Sequence, residues 1–265
     1  MMRLKIAVIT GASSGMGREF ARQISRCYPW LDELWLLGRN RQRLEAVKET
    51  LEMEDLPRKM RIRLIPCDLG TRAGRDVVQG WLMKECPAIK LLVNAAGTGV
   101  IGRISRLPVT EQTETVRVNC EALTAVTCMC LPYLKKGSHI IQMASAAAFF
   151  PQPGFAVYAA SKSYVLSFSL ALRREMADQG VTVTAVCPGP VDTPFFGHAE
   201  TYEKRPAYKQ KAMADPKKVV RQAIEDAAVG RSMSIYGAPA KALAAACRLL
   251  PQSFLTWAAD SLKNL

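Results

Sequence analysis

The sequence predicts a doubly wound α/β fold, a parallel β-sheet with helices on both faces. Short runs rich in apolar and β-branched residues alternate with helix-length segments along nearly the whole chain, the pattern of repeated strand–helix–strand units. Runs such as IAVIT, LWLL and VTVTAV are apolar on both faces, as parallel strands are when helices cover each side of the sheet. No linker, composition break or internal repeat divides the 265 residues. We therefore predict a single domain over residues 1–265.

Seven segments are predicted as strands: Leu4–Ile9, Glu33–Leu37, Ile62–Pro66, Lys90–Val93, His139–Met143, Val181–Cys187 and Ser232–Ile235. Helices are predicted between them, around residues 16–28, 41–54, 72–86, 109–134, 156–179 and 216–229. Two regions fall outside this alternation. Residues 194–214 are predicted as an irregular lid, and residues 238–265 as an apolar helical tail of two short helices.

The composition is that of a soluble globular protein, with 49% hydrophobic and 22% charged residues. The net charge of +13 is spread along the chain, and because no run of like charge stands out we expect no nucleic-acid partner. A solvated basic surface explains this charge. Attraction of an anionic substrate, an acidic carrier or an anionic membrane remains open.

Eight cysteines and two histidines show no metal-ligand spacing, so no metal site is predicted and the thiols are expected to be mostly buried and reduced. The first apolar run, residues 6–9, is too short for a signal-peptide core. No stretch of about 18 uncharged apolar residues is present to span a bilayer. We therefore expect a cytoplasmic protein.

The first predicted strand runs directly into TGASSGMG, residues 10–17, and then into a helix. Glycines permit a tight turn and close backbone approach, and the helix N-terminus offers free N–H groups to a pyrophosphate. A plain tight turn is the alternative for a glycine loop taken alone. Because this loop follows the first strand of a doubly wound pattern, we predict a dinucleotide site formed by Gly11, Ser13, Ser14, Gly15, Met16 and Gly17.

The end of the second strand, residues 36–41, carries no carboxylate. An acidic residue there would accept hydrogen bonds from the adenosine ribose and favour NAD. Arg39 instead offers a guanidinium to a 2′-phosphate, which predicts NADP(H) as the cofactor. An exposed surface arginine is the alternative, and Arg41 and Arg43 are predicted as solvated helix residues.

Two further strand ends are predicted to reach the dinucleotide. Asp68 and Leu69 follow the third strand, where Asp68 could accept from the adenine amine or could cap the next helix. The fourth strand ends in NAAG, and its Asn94, Ala95 and Gly97 lie where a backbone must pass close to the cofactor.

Tyr158 and Lys162 stand on one face of a predicted helix, four residues apart. A free phenol has a pKa of about 10, and a cation about 4 Å away would lower it by about three pKa units, which suits a general acid/base. Ser145, at the end of the fifth strand, could hydrogen-bond a substrate oxygen. Asn119, inside a predicted helix, could hold a backbone carbonyl or a water leading to Lys162. Taken singly, each has a structural alternative, such as a chance pair or a solvent-facing side chain.

Residues 4–236 resemble the short-chain dehydrogenase/reductase (SDR) family, through TGASSGMG, NAAG at 94–97, Asn119, Ser145, YAASK at 158–162 and PGPVDT at 188–193. The resemblance implies a Rossmann-type fold in which Tyr158 is the acid/base, Lys162 lowers its pKa and holds the nicotinamide ribose, Ser145 orients the substrate and Asn119 supports a proton relay. It also implies nicotinamide contacts from Pro188, Gly189, Val191 and Thr193.

Two residues depart from the family pattern. Ala95 stands where many members carry a second asparagine, and we expect it to alter packing rather than chemistry. Pro194, directly after Thr193, is expected to stiffen the start of the lid.

Together these residues predict an NADP(H)-dependent oxidoreductase that moves a hydride between nicotinamide and a carbonyl or alcohol carbon. The alternative is a catalytically silent nucleotide-binding regulatory protein. The apolar residues after Ser145 and the lid aromatics favour a hydrophobic substrate, unless those aromatics belong to the core. Lid cations would suit an anionic tail on a 3-oxoacyl thioester or a steroid- or bile-acid-like ketone. The lid residues concerned are Phe195, Phe196, Tyr202, Tyr208, Lys204, Arg205, Lys209 and Lys211.

Two expectations concern partners other than the substrate. We expect a homodimer or homotetramer, as the resemblance implies. The apolar surface of the tail is expected to be buried, either on protein beside the active-site mouth or on a membrane surface.

Overall fold

The computed structural model of the chain describes residues 3–54, 60–206, 210 and 212–263. Its seven strands form one sheet in the order β3-β2-β1-β4-β5-β6-β7, and every neighbouring pair is parallel. This confirms the predicted fold class. The strands are β1 Lys5–Thr10, β2 Glu33–Gly38, β3 Arg61–Pro66, β4 Ala88–Asn94, β5 Leu134–Met143, β6 Thr182–Val186 and β7 Met233–Ser234.

Helices connect and cover the strands. In chain order they are α1 Gly15–Cys27, α2 Arg41–Met53, α3 Arg72–Glu85, α4 Val109–Val116, α5 Leu123–Cys130, α6 Ala156–Glu175, α7 Phe195–Ala199, α8 Pro216–Ala228, α9 Ala238–Leu249 and α10 Gln252–Lys263.

The core is divided by the sheet into two apolar layers. Alternate residues of a strand point to opposite faces, and β1 shows the consequence. Ala7 and Ile9 pack on the side of α1, α2 and α8, whereas Ile6 and Val8 pack on the side of α3, α5 and α6. Because β1 lies between β2 and β4, the strand order reverses there, and the crevice beyond the carboxyl ends of β1 and β4 is where such sheets bind ligands.

The helical segment predicted around residues 109–134 is confirmed for residues 109–133, but it is not a regular α-helix throughout. Between α4 and α5 the backbone forms a π-helical stretch, Arg117–Ala122, and a short 3₁₀ turn at Leu131–Tyr133 leads straight into β5. A π-helical insertion rotates side chains relative to a regular helix. Asn119 lies in this stretch and is completely buried, so its solvent-facing alternative is excluded.

The lid and the tail are described in part. Within the lid, Phe195–Ala199 form the short helix α7, which begins directly after Pro194, whereas Tyr208, Lys209 and Lys211 lie outside the described residues. In the tail, α9 buries Ala240 and Ala244 and α10 buries Leu255.

All eight cysteines are free, and the expectation of mostly buried thiols is wrong because only Cys67, Cys130 and Cys187 are buried. Among the described residues, no helix has both the length and the apolar character needed to cross a bilayer.

Candidate active site

A cleft of about 1060 Å³ opens at the carboxyl ends of the strands. Most of the predicted site residues line it, although they come from six separate loops and two helices: Gly11, Ser13, Ser14, Gly15, Met16, Arg39, Asp68, Leu69, Ala95, Gly97, Ser145, Tyr158, Lys162, Pro188, Gly189, Val191 and Thr193. Three predicted residues, Gly17, Asn94 and Asn119, do not line it. The structure shows what each of these three does instead.

The glycine loop is held by contacts that leave no room for a side chain. Gly11 has a φ of +65°, and a Cβ there would lie 2.8 Å from the backbone of Ala96. A Cβ on Gly17 would lie 2.3 Å from the carbonyl oxygen of Gly11. Gly17 therefore closes the turn from behind and does not face the cleft. The loop ends at the N-terminus of α1, whose capping residue Ser14 makes no side-chain cap and whose first turn has no acidic residue.

Asn94 points away from the cleft, into the core. Its Nδ2 donates to the hydroxyl of Thr127 at 2.9 Å, so its side chain joins β4 to α5. The adjacent backbone is held from the other side, since the N–H groups of Ala95 and Ala96 both donate to Thr10 Oγ1 at 3.0 Å. The NAAG segment is thus fixed to β1, and the side chain of Asn94 holds β4 against α5.

The adenosine end of the cleft carries more positive charge than the sequence suggested. Arg39 lines it with a side chain 69% exposed and only a loose ion pair, 4.0 Å from Glu114. Asn40 caps α2 by accepting from the N–H of Arg43 at 2.9 Å, and the first turn of α2 brings Arg43 into the cleft lining. Arg43 is exposed on α2, as predicted for a solvated helix residue, and it also lines the cleft, whereas Arg41 is exposed and pairs with Glu45.

Asp68 lines the cleft and does not cap the next helix. Its Oδ1 accepts from the N–H of Gly70 at 3.0 Å, while the cap of α3 is Thr71, which accepts from Gly74 at 3.0 Å. Because a short turn separates Asp68 from α3, the capping alternative is excluded.

Ser145, Tyr158 and Lys162 meet at the floor of the cleft. Lys162 is buried, and its ammonium donates to the carbonyl of Met143, at the end of β5, at 2.7 Å. Its Nζ lies 5.6 Å from the centre of the Tyr158 ring. Ser145 follows the same strand and accepts from the N–H of Ala147 at 3.1 Å. The structure thus brings together three of the four residues predicted for catalysis.

The pKa values differ from the sequence expectation. Burial raises the pKa of Tyr158 to about 12, and the interaction with the Ser145 hydroxyl only partly opposes this. Burial also lowers the pKa of Lys162 to about 8. The expected lowering of the phenol pKa by lysine is therefore wrong for the protein alone, because the ammonium is directed at Met143 and desolvation outweighs its charge.

Asn119 completes the catalytic set from outside the cleft. Its Oδ1 accepts from the N–H of Thr98 and its Nδ2 donates to the carbonyl of the same residue, both at 2.9 Å. Its Nδ2 also reaches Ser161 Oγ at 2.9 Å. It therefore holds a backbone carbonyl, as one of the sequence alternatives proposed, and ties the loop after β4 to α6.

Comparison with known proteins agrees with this geometry. A family model described as short chain dehydrogenase matches residues 5–204. The chain belongs to the short-chain dehydrogenase family. An SDR relative, an uncharacterized oxidoreductase of Staphylococcus epidermidis, is 32% identical over 203 residues, covering 76% of this chain and 84% of that protein. Sulfoacetaldehyde reductase 2 of Chromohalobacter salexigens is 32% identical over 194 residues, covering 72% of this chain and 74% of that protein.

Solved SDR structures share the fold of this chain. A short-chain dehydrogenase from Sphingobium yanoikuyae in complex with NADPH superposes with a TM-score of 0.78 at 25% identity, covering 92% of this chain and 94% of that one. An SDR from Burkholderia phymatum in complex with NAD gives 0.76 at 22% identity, covering 94% and 93%. The bulky-bulky ketone specific alcohol dehydrogenase from Comamonas testosteroni gives 0.73 at 24% identity, covering 94% and 93%.

The cleft of this SDR fits a nicotinamide dinucleotide. The glycine turn that a Cβ would fill lines one wall beside the unshielded N-terminus of α1, which suits a pyrophosphate. Lys218, at the start of α8, lines the cleft as well, and α8 is joined to α1 by a 2.9 Å bond from Gln23 to the carbonyl of Lys217. Sequence reasoning missed Lys218, because nothing local to residues 216–219 indicates a ligand.

The half of the SDR cleft beside Tyr158 has an apolar wall that sequence reasoning located only in part. Phe155 and Phe195 contact the Tyr158 ring, with centroids 4.2 and 5.4 Å away. Of the two phenylalanines after Ser145, Phe150 lines the cleft and Phe149 packs into the core. The wall is completed by residues from the lid and from the tail, namely Phe196, Met213, Tyr236, Pro239, Ala240 and Leu243.

Proposed function

We propose that this SDR is an NADP(H)-dependent reductase of bulky, hydrophobic, electrically neutral ketones. One observation carries the proposal: Ser145, Tyr158 and Lys162 lie in a single cleft whose one half carries the glycine turn with Arg39 and Arg43, and whose other half has an aromatic and aliphatic wall. A silent regulatory protein would have no need to keep a buried lysine beneath a half-buried phenol, since a buried ammonium is costly to desolvate.

The choice of NADP(H) over NAD(H) rests on the adenosine end. No carboxylate follows β2, and the guanidinium of Arg39 is free of any close ion pair. Arg39 and Arg43 line the same stretch of the cleft, and two guanidinium groups favour a doubly charged 2′-phosphate over a ribose hydroxyl. The NADPH found in the Sphingobium yanoikuyae relative is compatible with this choice.

The protonation states favour carbonyl reduction. With its pKa raised to about 12, the Tyr158 phenol holds its proton at neutral pH, so it can donate that proton to the oxygen of a carbonyl as the oxygen gains charge. Ser145 orients the same oxygen by a hydrogen bond, and Lys162 supplies a cation below the phenol. Bound NADPH would supply the hydride. Asn119 keeps the Thr98 backbone in place beside these groups.

The wall supports a neutral and bulky substrate. Among the described cleft residues, the Lys and Arg side chains are Arg39, Arg43, Lys162 and Lys218, and none of these belongs to the aromatic wall. The lid cation Arg205 pairs with Glu200 and lies over the Phe196 ring, 4.1 Å from its centre. A polycyclic, steroid-like ketone therefore suits this half better than a 3-oxoacyl thioester with an anionic carrier.

Absorbance at 340 nm during incubation with NADPH or NADH tests the proposal. We expect turnover of 2-tetralone, a neutral bicyclic ketone, with NADPH preferred over NADH, and slower turnover of an acetoacetyl thioester. Saturable NADPH binding without reduction of any ketone in a broad panel would favour the silent nucleotide-binding protein. Faster turnover of the thioester than of 2-tetralone would refute the neutral-substrate part alone.

We also propose a cytoplasmic homo-oligomer. Val116 on α4 and Tyr164 and Leu170 on α6 are between 40% and 48% exposed, and α4 packs against α6, which leaves an apolar surface suited to a second copy. Sedimentation of the purified chain measures this directly, and a monomer at micromolar concentration would refute it.

A further inference from the structure

The loop that follows β4 touches every catalytic residue except Ser145. A Cβ on Gly97 would lie 3.3 Å from Asn119 Oδ1 and 3.4 Å from Lys162 Nζ. Thr98 is fixed by two hydrogen bonds to Asn119, one through its N–H and one through its carbonyl. The backbone of this loop is therefore held rigidly against the buried end of the catalytic set.

The next residue, Gly99, lies directly against the Tyr158 ring. A Cβ built on Gly99 would be 2.5 Å from Tyr158 Cδ2, 3.2 Å from its Cγ and 3.3 Å from its Cβ. Carbon atoms in contact need about 3.5 Å or more, so any side chain at residue 99 must displace the ring. The φ of Gly99 is not in the left-handed region, so it is the contact with Tyr158, and not the backbone conformation, that requires glycine.

Two aromatic neighbours restrict how the ring can give way. Phe155 stacks on it with a centroid distance of 4.2 Å and an interplanar angle of 12°. Phe195, from the lid helix α7, contacts it at 5.4 Å. Because both neighbours pack in the same apolar cluster with Ile101 and Phe196, a shift of the Tyr158 ring toward either of them must push against packed side chains, whereas the cleft that the ring lines leaves it room.

The same loop also ties the lid to this cluster. The N–H of Ile101 donates to the carbonyl of Ala199, the last residue of α7, at 2.7 Å. The N–H of Gly102 donates to the carbonyl of Gly154, just before α6, at 2.8 Å. The loop thus connects Asn119, α6 and the lid through backbone bonds.

We infer that Gly99 is a positioning residue for the reaction, which sets the place of the Tyr158 hydroxyl by seating its ring between the loop backbone and Phe155. The kinetic part of this inference rests on the proposed reductase function. The positional part does not, and it is tested first.

Fluorine NMR reports the ring position directly. The chain is labelled with 3-fluorotyrosine, and the resonance of residue 158 is assigned by its loss in Tyr158→Phe. Because a ring stacked at 4.2 Å produces a large ring-current shift, Gly99→Ala is expected to move this resonance. Gly80→Ala is the matched control, since a Cβ there meets no heavy atom within 4 Å. An unchanged resonance in folded Gly99→Ala overturns the inference.

If Gly99→Ala does not fold, a second variant gives the Tyr158 ring more room. The pair Gly99→Ala, Phe155→Leu removes the stacked neighbour, and its residue-158 resonance is compared with that of Phe155→Leu alone. A difference between the residue-158 resonances of these two variants supports the positioning role of Gly99, and identical resonances contradict it.

Turnover of 2-tetralone then tests the consequence. Gly99→Ala is expected to lower kcat by at least about tenfold, the scale of a misplaced proton donor, with the Kd for NADPH changed by less than about threefold. In a Tyr158→Phe background the same change is expected to cost nothing further, because the hydroxyl it positions is absent. Equal losses in both backgrounds would mean a general structural role. Where the wild type turns over no ketone, the proposed function fails, and the fluorine resonance still decides the role of Gly99.

Discussion

In the half of the cleft beside β1 and β2, backbone and short side chains at the ends of single strands, as at Gly11, Ser13 and Gly38, form the lining together with Arg39 and Arg43. In the half beside Tyr158, large apolar side chains converge from distant segments, as with Phe150, Phe195 and Leu243. The first half suits a ligand of fixed shape, because the backbone atoms that line it are held in place by the sheet. The second half is made of side chains, which can vary without disturbing the sheet, and we propose that this half selects the substrate.

The largest effect is expected at the border between the two halves. Tyr158→Phe removes the proton donor and leaves the ring in contact with Phe155, so kcat should fall by at least about 10²-fold while the fold and NADPH binding persist. Steady-state kinetics with 2-tetralone, together with fluorescence titration of NADPH, measure both. Turnover at near the wild-type rate would mean that the proton comes from another group.

The difference between the halves also explains what the sequence could predict. The glycine turn, Arg39 and the pair of Tyr158 and Lys162 are local patterns, and all of them line the cleft. Asn94 was predicted near the cofactor because it ends the fourth strand, where a backbone must pass close to the ligand, and its side chain lies on the other face of β4 and meets Thr127. Which face a strand end presents depends on register, which one segment alone does not define.

Two further features could not be predicted from the sequence for the same physical reason. The pKa of Tyr158 depends on how deeply its hydroxyl is buried and on where the Lys162 ammonium points, and neither is encoded in the four-residue spacing. The contact between Gly99 and the Tyr158 ring joins residues 59 positions apart, so no local pattern indicates it. Local motifs predicted which residues line the cleft, whereas the surroundings of their side chains depend on segments that are distant in the sequence.

The second prediction concerns the stability of the buried cation at the same border. The folded-state pKa of Lys162, about 8, is below the ordinary value of 10.5. Between these values the unfolded chain binds more protons, so this residue makes the free energy of unfolding rise with pH, by about 3 kcal/mol between pH 8 and 10.5. Below pH 8, Lys162 is protonated in both the folded and the unfolded state, so its contribution to the free energy of unfolding does not change with pH.

Denaturant unfolding of the wild type and of Lys162→Met across this pH range measures the effect. Taking the difference between the two removes the other titrating groups, such as the buried thiol of Cys67, whose pKa is raised to about 12. Parallel curves for the two proteins would show that Lys162 is not desolvated in the folded state.

The third prediction sharpens the comparison within the cofactor half. Arg39→Ala should weaken NADPH binding by about tenfold, through loss of a charge-assisted contact, and leave NADH binding nearly unchanged. Arg41→Ala is the matched control, because Arg41 lies two residues away and pairs with Glu45 outside the cleft. Equal weakening of both cofactors by Arg39→Ala would show that this residue does not distinguish the 2′-phosphate.

The smallest effect is expected in the substrate half, where the tail supplies part of the wall. A chain ending at Gly237 loses Pro239, Ala240 and Leu243 from the cleft, so KM for 2-tetralone should rise severalfold while the Kd for NADPH stays constant. A chain ending at Leu250 keeps α9 and serves as the control. It also removes Phe254 and Trp257, which are 48% and 65% exposed.

The same pair of truncations separates the two expectations for the tail. If α10 binds a membrane, the chain ending at Leu250 stops co-sedimenting with anionic vesicles but keeps its kinetics. If the tail packs only on protein, neither the full chain nor the truncated one co-sediments, and the melting temperature falls on truncation.

The central claim is that the cleft transfers a hydride from a nicotinamide to a ketone carbon, with Tyr158 protonating the oxygen. The most direct measurement is to supply NADPH carrying deuterium at C4 on one face, with 2-tetralone, and to analyse the alcohol by mass spectrometry and NMR. We expect one deuterium at the carbinol carbon from one of the two labelled faces, none from the other, and no product with Tyr158→Phe on the same time scale. Tight binding of NADPH with no label in any alcohol would contradict the account and identify the chain as a nucleotide-binding protein without catalysis.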